Sequence, residues 1–400
     1  MKSVLIIGGG YGGLRAIETL AKYDDVEITL VDKNPYHYLQ TEAYGYIAGR
    51  FDVNDIAIDL QTWCLGFERV KFIQHEVEAF EIENKSIKID SETLCFDYII
   101  LATGARTNFF SFIEGLREHT YGVKKLYRAF NFRKDFEEII YKKLHHEMGD
   151  NEGELNIAIG GAGLSGVEVA AEMAYVINSY SKTIGEHTKE IKIYLIDASK
   201  TILPGTSEYI VKNTQKRLEK LGVEILTNAF ISKVEESKII FKDGESLNYN
   251  FMIFTGGIRA SLLNEAINCE KNRINQFIVN KTLNIKNSRD VFAIGDCVEI
   301  RDESDNILPP TAQTAERSAE YVAKVIRERI DGVESKAFTM SIMGMFVALG
   351  GKHAVGEVFK VIKVKGYIAY LLKKAITYAY YVGLRLRINT GFKNRIKHRK

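Results

Sequence analysis

Two strand–glycine-turn–helix fingerprints occupy one chain, and each is followed by an acid at the end of the next apolar strand. In the first, Val4-Leu5-Ile6-Ile7 runs into Gly8, Gly10 and Gly13, and Asp32 closes Ile28-Thr29-Leu30-Val31. In the second, Ile157-Ala158-Ile159 runs into Gly161, Gly163 and Gly166, and Asp197 closes Ile193-Tyr194-Leu195-Ile196. The glycines have separate duties: the first of each set permits a tight turn, the second lets backbone amides approach a pyrophosphate, and the third lets the helix pack close to its strand. The acid accepts hydrogen bonds from ribose hydroxyls. An isolated match also fits a turn of small residues without a ligand. Two matches with strand, spacing and acid in place imply two dinucleotides, and holding two together serves electron transfer between them.

The order of motifs extends the duplication. After Asp32 come an alternating segment from Val70 to Ile89 and an apolar strand ending at Ala102-Thr103-Gly104. After Asp197 come an alternating hairpin from Val223 to Phe241 and a strand ending at Thr255-Gly256-Gly257. A further strand, Asp290 to Ile294, ends at Gly295-Asp296 and is expected to return to the first sheet. The expected fold is therefore α/β, with two Rossmann-like dinucleotide-binding domains, the second inserted into the first, plus a C-terminal membrane-associating region. The expected boundaries are 1–108 and 266–330 for the first domain, 109–265 for the second and 331–400 for the C-terminal region. That last region reads as glycine-punctuated strands from Phe338 to Val358, then a helix from Gly366 to about Ile388.

Charge is distributed unevenly. The net charge is +2, yet from Val358 to Lys400 there are 12 lysines and arginines and no acid. Between Gly366 and Ile388 tyrosines, leucines and isoleucines alternate with Lys373, Lys374, Arg385 and Arg387. That mixture suits a helix lying in a lipid interface, with basic groups on anionic head groups. A dimerisation helix with a solvated basic face, giving a homodimer, is the alternative. Nucleic acid is not expected, since no nucleic-acid motif accompanies the charge. The longest uncharged run, Ala337 to Gly351, is 15 residues, short of a spanning helix. No secretory signal precedes the first strand, and the four cysteines form no CxxC pair or zinc spacing. No metal site is expected. His145-His146-Glu147 reads as a solvated cluster.

Asp197 is followed by Ala198-Ser199 rather than an arginine, which favours NADH over NADPH because a carboxylate repels a 2′-phosphate. Lys200 leaves that choice open. Glu168, two residues past Gly166, reads either as an acid complementing a helix dipole or as a functional group at the junction of two cofactors.

The set Gly8-x-Gly10-x-x-Gly13, Ala102-Thr103-Gly104, Gly161-x-Gly163-x-x-Gly166-Val167-Glu168, Gly295-Asp296 and Pro310-Thr311-Ala312-Gln313 resembles the two-dinucleotide-domain flavoproteins. Among these it is most similar to the type II NADH:quinone oxidoreductases, and the resemblance covers nearly the whole chain. It implies FAD at the first fingerprint, NADH as substrate at the second and a membrane quinone as acceptor. It also implies attachment to the cytoplasmic face of the inner membrane without proton pumping. Carried over residue by residue, Asp296 contacts the flavin ribityl chain, Ala312 and Gln313 lie beside the isoalloxazine at the quinone pocket, and Glu168 stands near nicotinamide and flavin. His353 faces the flavin by the same analogy. Two segments depart from the family pattern: Arg317-Ser318 replaces paired glutamines, and Tyr38-Leu39-Gln40-Thr41-Glu42-Ala43-Tyr44 replaces an apolar proline-leucine-tyrosine segment. Disulfide reductases of this architecture need a cysteine pair after the first ribose acid, and sulfide:quinone oxidoreductases need a C-terminal redox cysteine. Residues 33–60 and 298–400 contain none. Cys297 reads as a small buried residue rather than a reactive thiol. The remaining alternatives are a ferredoxin-type or sulfide:quinone reductase, and an NADH-sensing flavoprotein that binds a partner through its tail.

Overall fold

The computed structural model describes residues 1–144, 154–184, 191–286, 288–359 and 361–390. His145-His146-Glu147 lies outside the described residues.

Lys2–Ile7 is the central strand of a five-stranded parallel sheet. The strand order is Val291–Ala293, Tyr98–Leu101, Lys2–Ile7, Val26–Asp32, Val70–Gln74. Residues 4–7 and 98–101 are buried at every position, which is why they are unbroken apolar runs rather than alternating ones. The second fingerprint builds the same arrangement: Phe251–Phe254, Leu155–Gly160, Ile191–Ile196 and Val223–Leu226 pair in parallel in that order. Each unit also carries a separate antiparallel three-stranded sheet, Ala79–Glu81 to Glu92–Cys95 in one and Ile231–Val234 to Ser246–Asn248 in the other. The chain leaves the first sheet after Leu101 and rejoins it at Val291, so the second unit is an insertion. Its outgoing strand Ala105–Thr107 and returning strand Ile258–Ala260 pair antiparallel.

In each unit the central strand passes through its glycine turn into a helix, Tyr11–Leu20 or Leu164–Ile184. These turns sit at the carboxyl ends of parallel strands, where open α/β sheets bind ligands. A helix from Ala312 to Ile330 packs on Tyr11–Leu20 and completes the first unit.

The C-terminal region is a three-stranded antiparallel sheet, Gly344–Ala348, Ala354–Val358 and Ile362–Gly366, followed by the helix Tyr367–Thr390. Strand structure thus starts at Gly344 rather than Phe338, and a further strand, Ile362–Gly366, follows the expected run. The sequence hides that strand because Lys363 and Lys365 alternate with Ile362 and Val364 on a largely exposed edge, where lysines protect against pairing with another chain. Among the described residues no helix is long and apolar enough to cross a membrane.

Candidate active site

The two glycine turns have the same internal geometry. Gly8 has φ +111° and Gly161 φ +100°, a backbone that side chains disfavour. A Cβ on Gly8 would stand 2.3 Å from the Ala102 carbonyl oxygen, and one on Gly161 would stand 2.6 Å from the Gly256 backbone. Gly256 therefore forms the wall against which the second turn closes. A Cβ on Gly13 would meet the Gly8 carbonyl oxygen at 1.9 Å, and one on Gly166 would meet that of Gly161 at 1.9 Å. Gly10, Gly163 and Gly104 face open space within 4 Å. The outer glycines serve chain packing, whereas the middle ones leave room for a ligand to reach the backbone.

Each acid braces its turn. Asp32 accepts the Gly9 amide at 2.7 Å on one carboxylate oxygen and the Asn34 amide at 2.7 Å on the other. Asp197 repeats the pattern with the amides of Ala162 at 2.6 Å and Ser199 at 2.7 Å. Burial pushes the Asp32 carboxyl up, opposed by those amide donors.

A cavity of about 580 Å³ opens beside the first turn. Gly8, Gly10, Asp32, Thr103 and Gly104 line it, together with Lys124 and Ser261. Its volume, its backbone amides and its open glycines fit a dinucleotide. Gly13 does not line it, consistent with a packing duty, and neither do Asp296, Ala312, Gln313, Glu168 or the second turn. Thr103 donates to Asn264 at 2.7 Å, and the buried Asn264 amide donates to the Cys297 carbonyl at 2.9 Å, tying the cavity wall to the turn Gly295–Cys297. Asp296 in that turn pairs with Lys124 at 3.1 Å. Ser318, in place of a family glutamine, is fully buried and accepts the Gly295 amide at 3.2 Å. Arg317 points outward to Glu320 at 3.2 Å.

Glu168 and Gln313 stand at opposite ends of one short strand. Gln313 accepts the Met343 amide at 3.3 Å, just before Gly344–Ala348, and Glu168 accepts the Ala348 amide at 2.9 Å. At about 3.3 Å per residue, those anchoring amides are roughly 16 Å apart. Glu168 also receives Lys373 from the C-terminal helix at 2.7 Å. Burial raises the Glu168 carboxyl, with Lys373 opposing. Burial also opposes the Lys373 ammonium, yet Glu168 and Glu42 outweigh it and raise its value.

Several residues here escaped sequence reasoning. Glu42 is buried and pairs with Lys374 at 2.7 Å. Glu172, one turn after Glu168, pairs with Arg50 and accepts the Gly351 amide. His37 is buried, its Nδ1 3.0 Å from the Gly9 carbonyl, so Nδ1 carries the proton and Nε2 accepts from Tyr380 at 3.1 Å. Through that chain the C-terminal helix touches the first glycine turn. Only the departure of Tyr38 to Tyr44 from the family's apolar segment, with an acid at Glu42, offered a signal. His353 has Arg217, Lys220 and Lys365 as its charged neighbours and is lowered by burial and by them.

Burial pushes the Cys297 thiol up to about 11 and the Cys64 thiol up to about 12. Neither is a thiolate at neutral pH, as expected for small core residues.

Residues 2–319 match the family described as pyridine nucleotide-disulphide oxidoreductase. A type II NADH:quinone oxidoreductase of Staphylococcus aureus (strain MSSA476) is 29% identical over 382 residues, 94% of each chain. The one from strain NCTC 8325 is 29% identical over 365 residues, 90% of each. Among solved structures, NDH2 of Plasmodium falciparum in complex with NADH superposes with a TM-score of 0.84 at 20% identity, covering 98% of this chain and 97% of that one. The sulfide:quinone oxidoreductase of Aquifex aeolicus gives 0.81 at 19% identity, covering 99% and 94%. Matched over most of its length, the chain belongs to the pyridine nucleotide-disulphide oxidoreductase family, and within it is similar to the type II NADH:quinone oxidoreductases.

Proposed function

We propose that the chain is an FAD-dependent NADH:quinone oxidoreductase that works, without pumping protons, at a membrane surface. The observation that carries this reading is the pair of matched glycine turns in one chain, with a buried acid, Glu168, on the helix that leaves the second. FAD is assigned to Gly8, Gly10, Gly13, Asp32, Thr103, Gly104, Asp296 and Ala312, and NADH to Gly161, Gly163, Gly166, Asp197 and Gly256. The same reading divides the chain into 1–108 with 266–330 for FAD, 109–265 for NADH and 331–400 for the membrane.

Bound FAD supplies the two-electron carrier between nicotinamide and quinone. The protein holds both turns in shape through Asp32 and Asp197, and Asp197 disfavours a 2′-phosphate. In the overall reaction NADH, a proton and quinone give NAD⁺ and quinol. NADH contributes a hydride and solvent the second proton, which a largely buried carboxyl between the two cofactors and solvent can relay. Glu168 suits this because burial favours its protonated form while Lys373 keeps the carboxylate accessible. Gln313, at the start of its helix, is assigned to donate its side-chain amide to a quinone carbonyl, its own carbonyl oxygen being taken by the Met343 amide.

The membrane surface is assigned to the C-terminal helix and the preceding hairpin. Ile368, Leu371, Leu372 and Ile376 are exposed on the helix, and Phe359, Val361 and Ile362 at the hairpin tip. Lys373 and Lys374, expected from sequence to face head groups, pair inward instead, so the remaining lysines and arginines of 358–400 would meet anionic head groups on the cytoplasmic face of the inner membrane. A homodimer that buries the same apolar face is the competing occupant, and sedimentation with and without vesicles separates the two.

An absorbance spectrum before and after NADH tests both nucleotide sites. Flavin bands should bleach with NADH, bleach far less with NADPH, and recover on adding a soluble quinone. Absence of flavin, or bleaching with sulfide instead, overturns the proposal. Glu168→Gln should slow quinone turnover roughly tenfold or more while retaining FAD, and unchanged kinetics would remove its relay role.

A further inference from the structure

Lys373 and Lys374 are consecutive on the C-terminal helix, and an α-helix turns about 100° per residue, so their ammonium groups leave it in different directions. Each meets a carboxylate on a different wall. Lys373 reaches Glu168 at 2.7 Å on the helix after the second glycine turn, and Lys374 reaches Glu42 at 2.7 Å in the segment that follows Asp32. The lysine doublet therefore bridges the two nucleotide-binding units.

The two pairs are adjacent. Tyr44 connects them: its hydroxyl donates to Glu42 at 3.3 Å, and the Lys373 ammonium stands 5.2 Å from its ring centroid. Lys374 lies 4.2 Å from the Phe51 ring. A third pair, Arg50 with Glu172, closes the cluster on the NADH-side helix. From the first unit, Tyr11 also faces Glu42, and burial keeps its phenol neutral. The carboxylates Glu42, Glu168 and Glu172 thus balance Lys373, Lys374 and Arg50, and the removal of any one charge leaves the cluster unbalanced.

Taking the NADH:quinone reading as given, we propose that Glu42 is a positioning residue for proton handling at Glu168: by neutralising Lys374 it sets the field in which Glu168 binds and releases its proton. A unit charge acts strongly over a few ångströms where water is excluded. Glu42 acts on Glu168 directly, disfavouring its carboxylate, and its charge helps hold Lys373 protonated. Without the Glu42 charge that repulsion is gone and Lys374 stands uncompensated; these two changes favour the Glu168 carboxylate and outweigh the weaker hold on the Lys373 proton, because Glu168 itself still pairs with that ammonium at 2.7 Å. Glu168 would then lose its proton at lower pH.

The test is an infrared titration of the buried carboxyl in purified holoprotein, with Glu168→Gln identifying the band. Glu42→Gln is expected to move the Glu168 midpoint down by roughly 0.5–1 pH unit. Lys374→Met removes the cation and is expected to move carboxyl protonation the opposite way, which general loosening of the site would not do. It also serves as the second variant if Glu42→Gln does not retain FAD. An unchanged midpoint in Glu42→Gln, or movement of both variants in one direction, overturns the proposal. The titration requires no quinone, so a wild type that fails to reduce quinone overturns the functional reading and leaves this result standing on its own.

Discussion

Gly10 and Gly13 belong to one turn but answer to different constraints. A methyl group on Gly13 collides with the Gly8 carbonyl at 1.9 Å, whereas one on Gly10 meets nothing within 4 Å. Gly13→Ala should therefore cost about 1–3 kcal/mol through forced separation of helix and strand and lose FAD as well. Gly10→Ala should leave apoprotein stability unchanged and weaken FAD retention alone; urea unfolding and flavin content of the two variants check the contrast. His37 supplies a second prediction at this scale. Burial holds its imidazole at about 4, whereas the unfolded chain protonates near 6.5. The unfolded state then binds more protons between those values, so stability is complete above about pH 6.5 and falls as pH drops toward 4, by about 3 kcal/mol. Urea midpoints across that window should show the loss, and His37→Gln, which keeps a donor for Gly9, should flatten it.

The C-terminal helix shows why an element can be recognisable in sequence while half its purpose is hidden. Its apolar and basic composition is compatible with an interface, but which face looks outward depends on what covers the other. Inward, Lys373, Lys374 and Tyr380 engage Glu168, Glu42 and His37, and Leu384 is buried. Outward stand Ile368, Leu371, Leu372 and Ile376. Replacing those four with glutamine should weaken binding to anionic vesicles at least tenfold, since each buried side chain contributes about 1.5–3 kcal/mol, while FAD content stays at the wild-type level. Loss of FAD together with vesicle binding would mean the outer face also supports the fold.

At the scale of the whole molecule, the same helix braces both nucleotide-binding units rather than hanging from them as a detachable anchor. Truncation before Tyr367 removes the cations of Glu42 and Glu168 and uncovers the apolar surface on which the buried Ala369 and Leu384 pack, at about 1.5–3 kcal/mol for a fully buried large apolar side chain. The truncated chain should therefore unfold at markedly lower urea and lose flavin, instead of yielding a soluble enzyme; a truncated protein with full flavin content and an unchanged urea midpoint would contradict this.

The internal duplication, both glycine turns and their acids were legible because strand periodicity and glycine spacing are local properties, written within about thirty consecutive residues. Gly256 was legible only as the end of a strand, and its close approach to Gly161 came from the packed turn. By contrast, Glu42 and Lys374 are 332 positions apart, and nothing in either neighbourhood specifies the other. Their pairing, like the Tyr380–His37–Gly9 connection and the separation of Glu168 from Gln313 along one strand, depends on where distant elements come to rest. The sequence by itself determined two nucleotide turns, their supporting sheets and a C-terminal helix, because short-range sterics and hydrophobic period decide those. Only the tertiary structure decided that this helix packs against both units and that its lysines are matched to carboxylates on both walls, because a buried charge finds its partner only after the chain has packed.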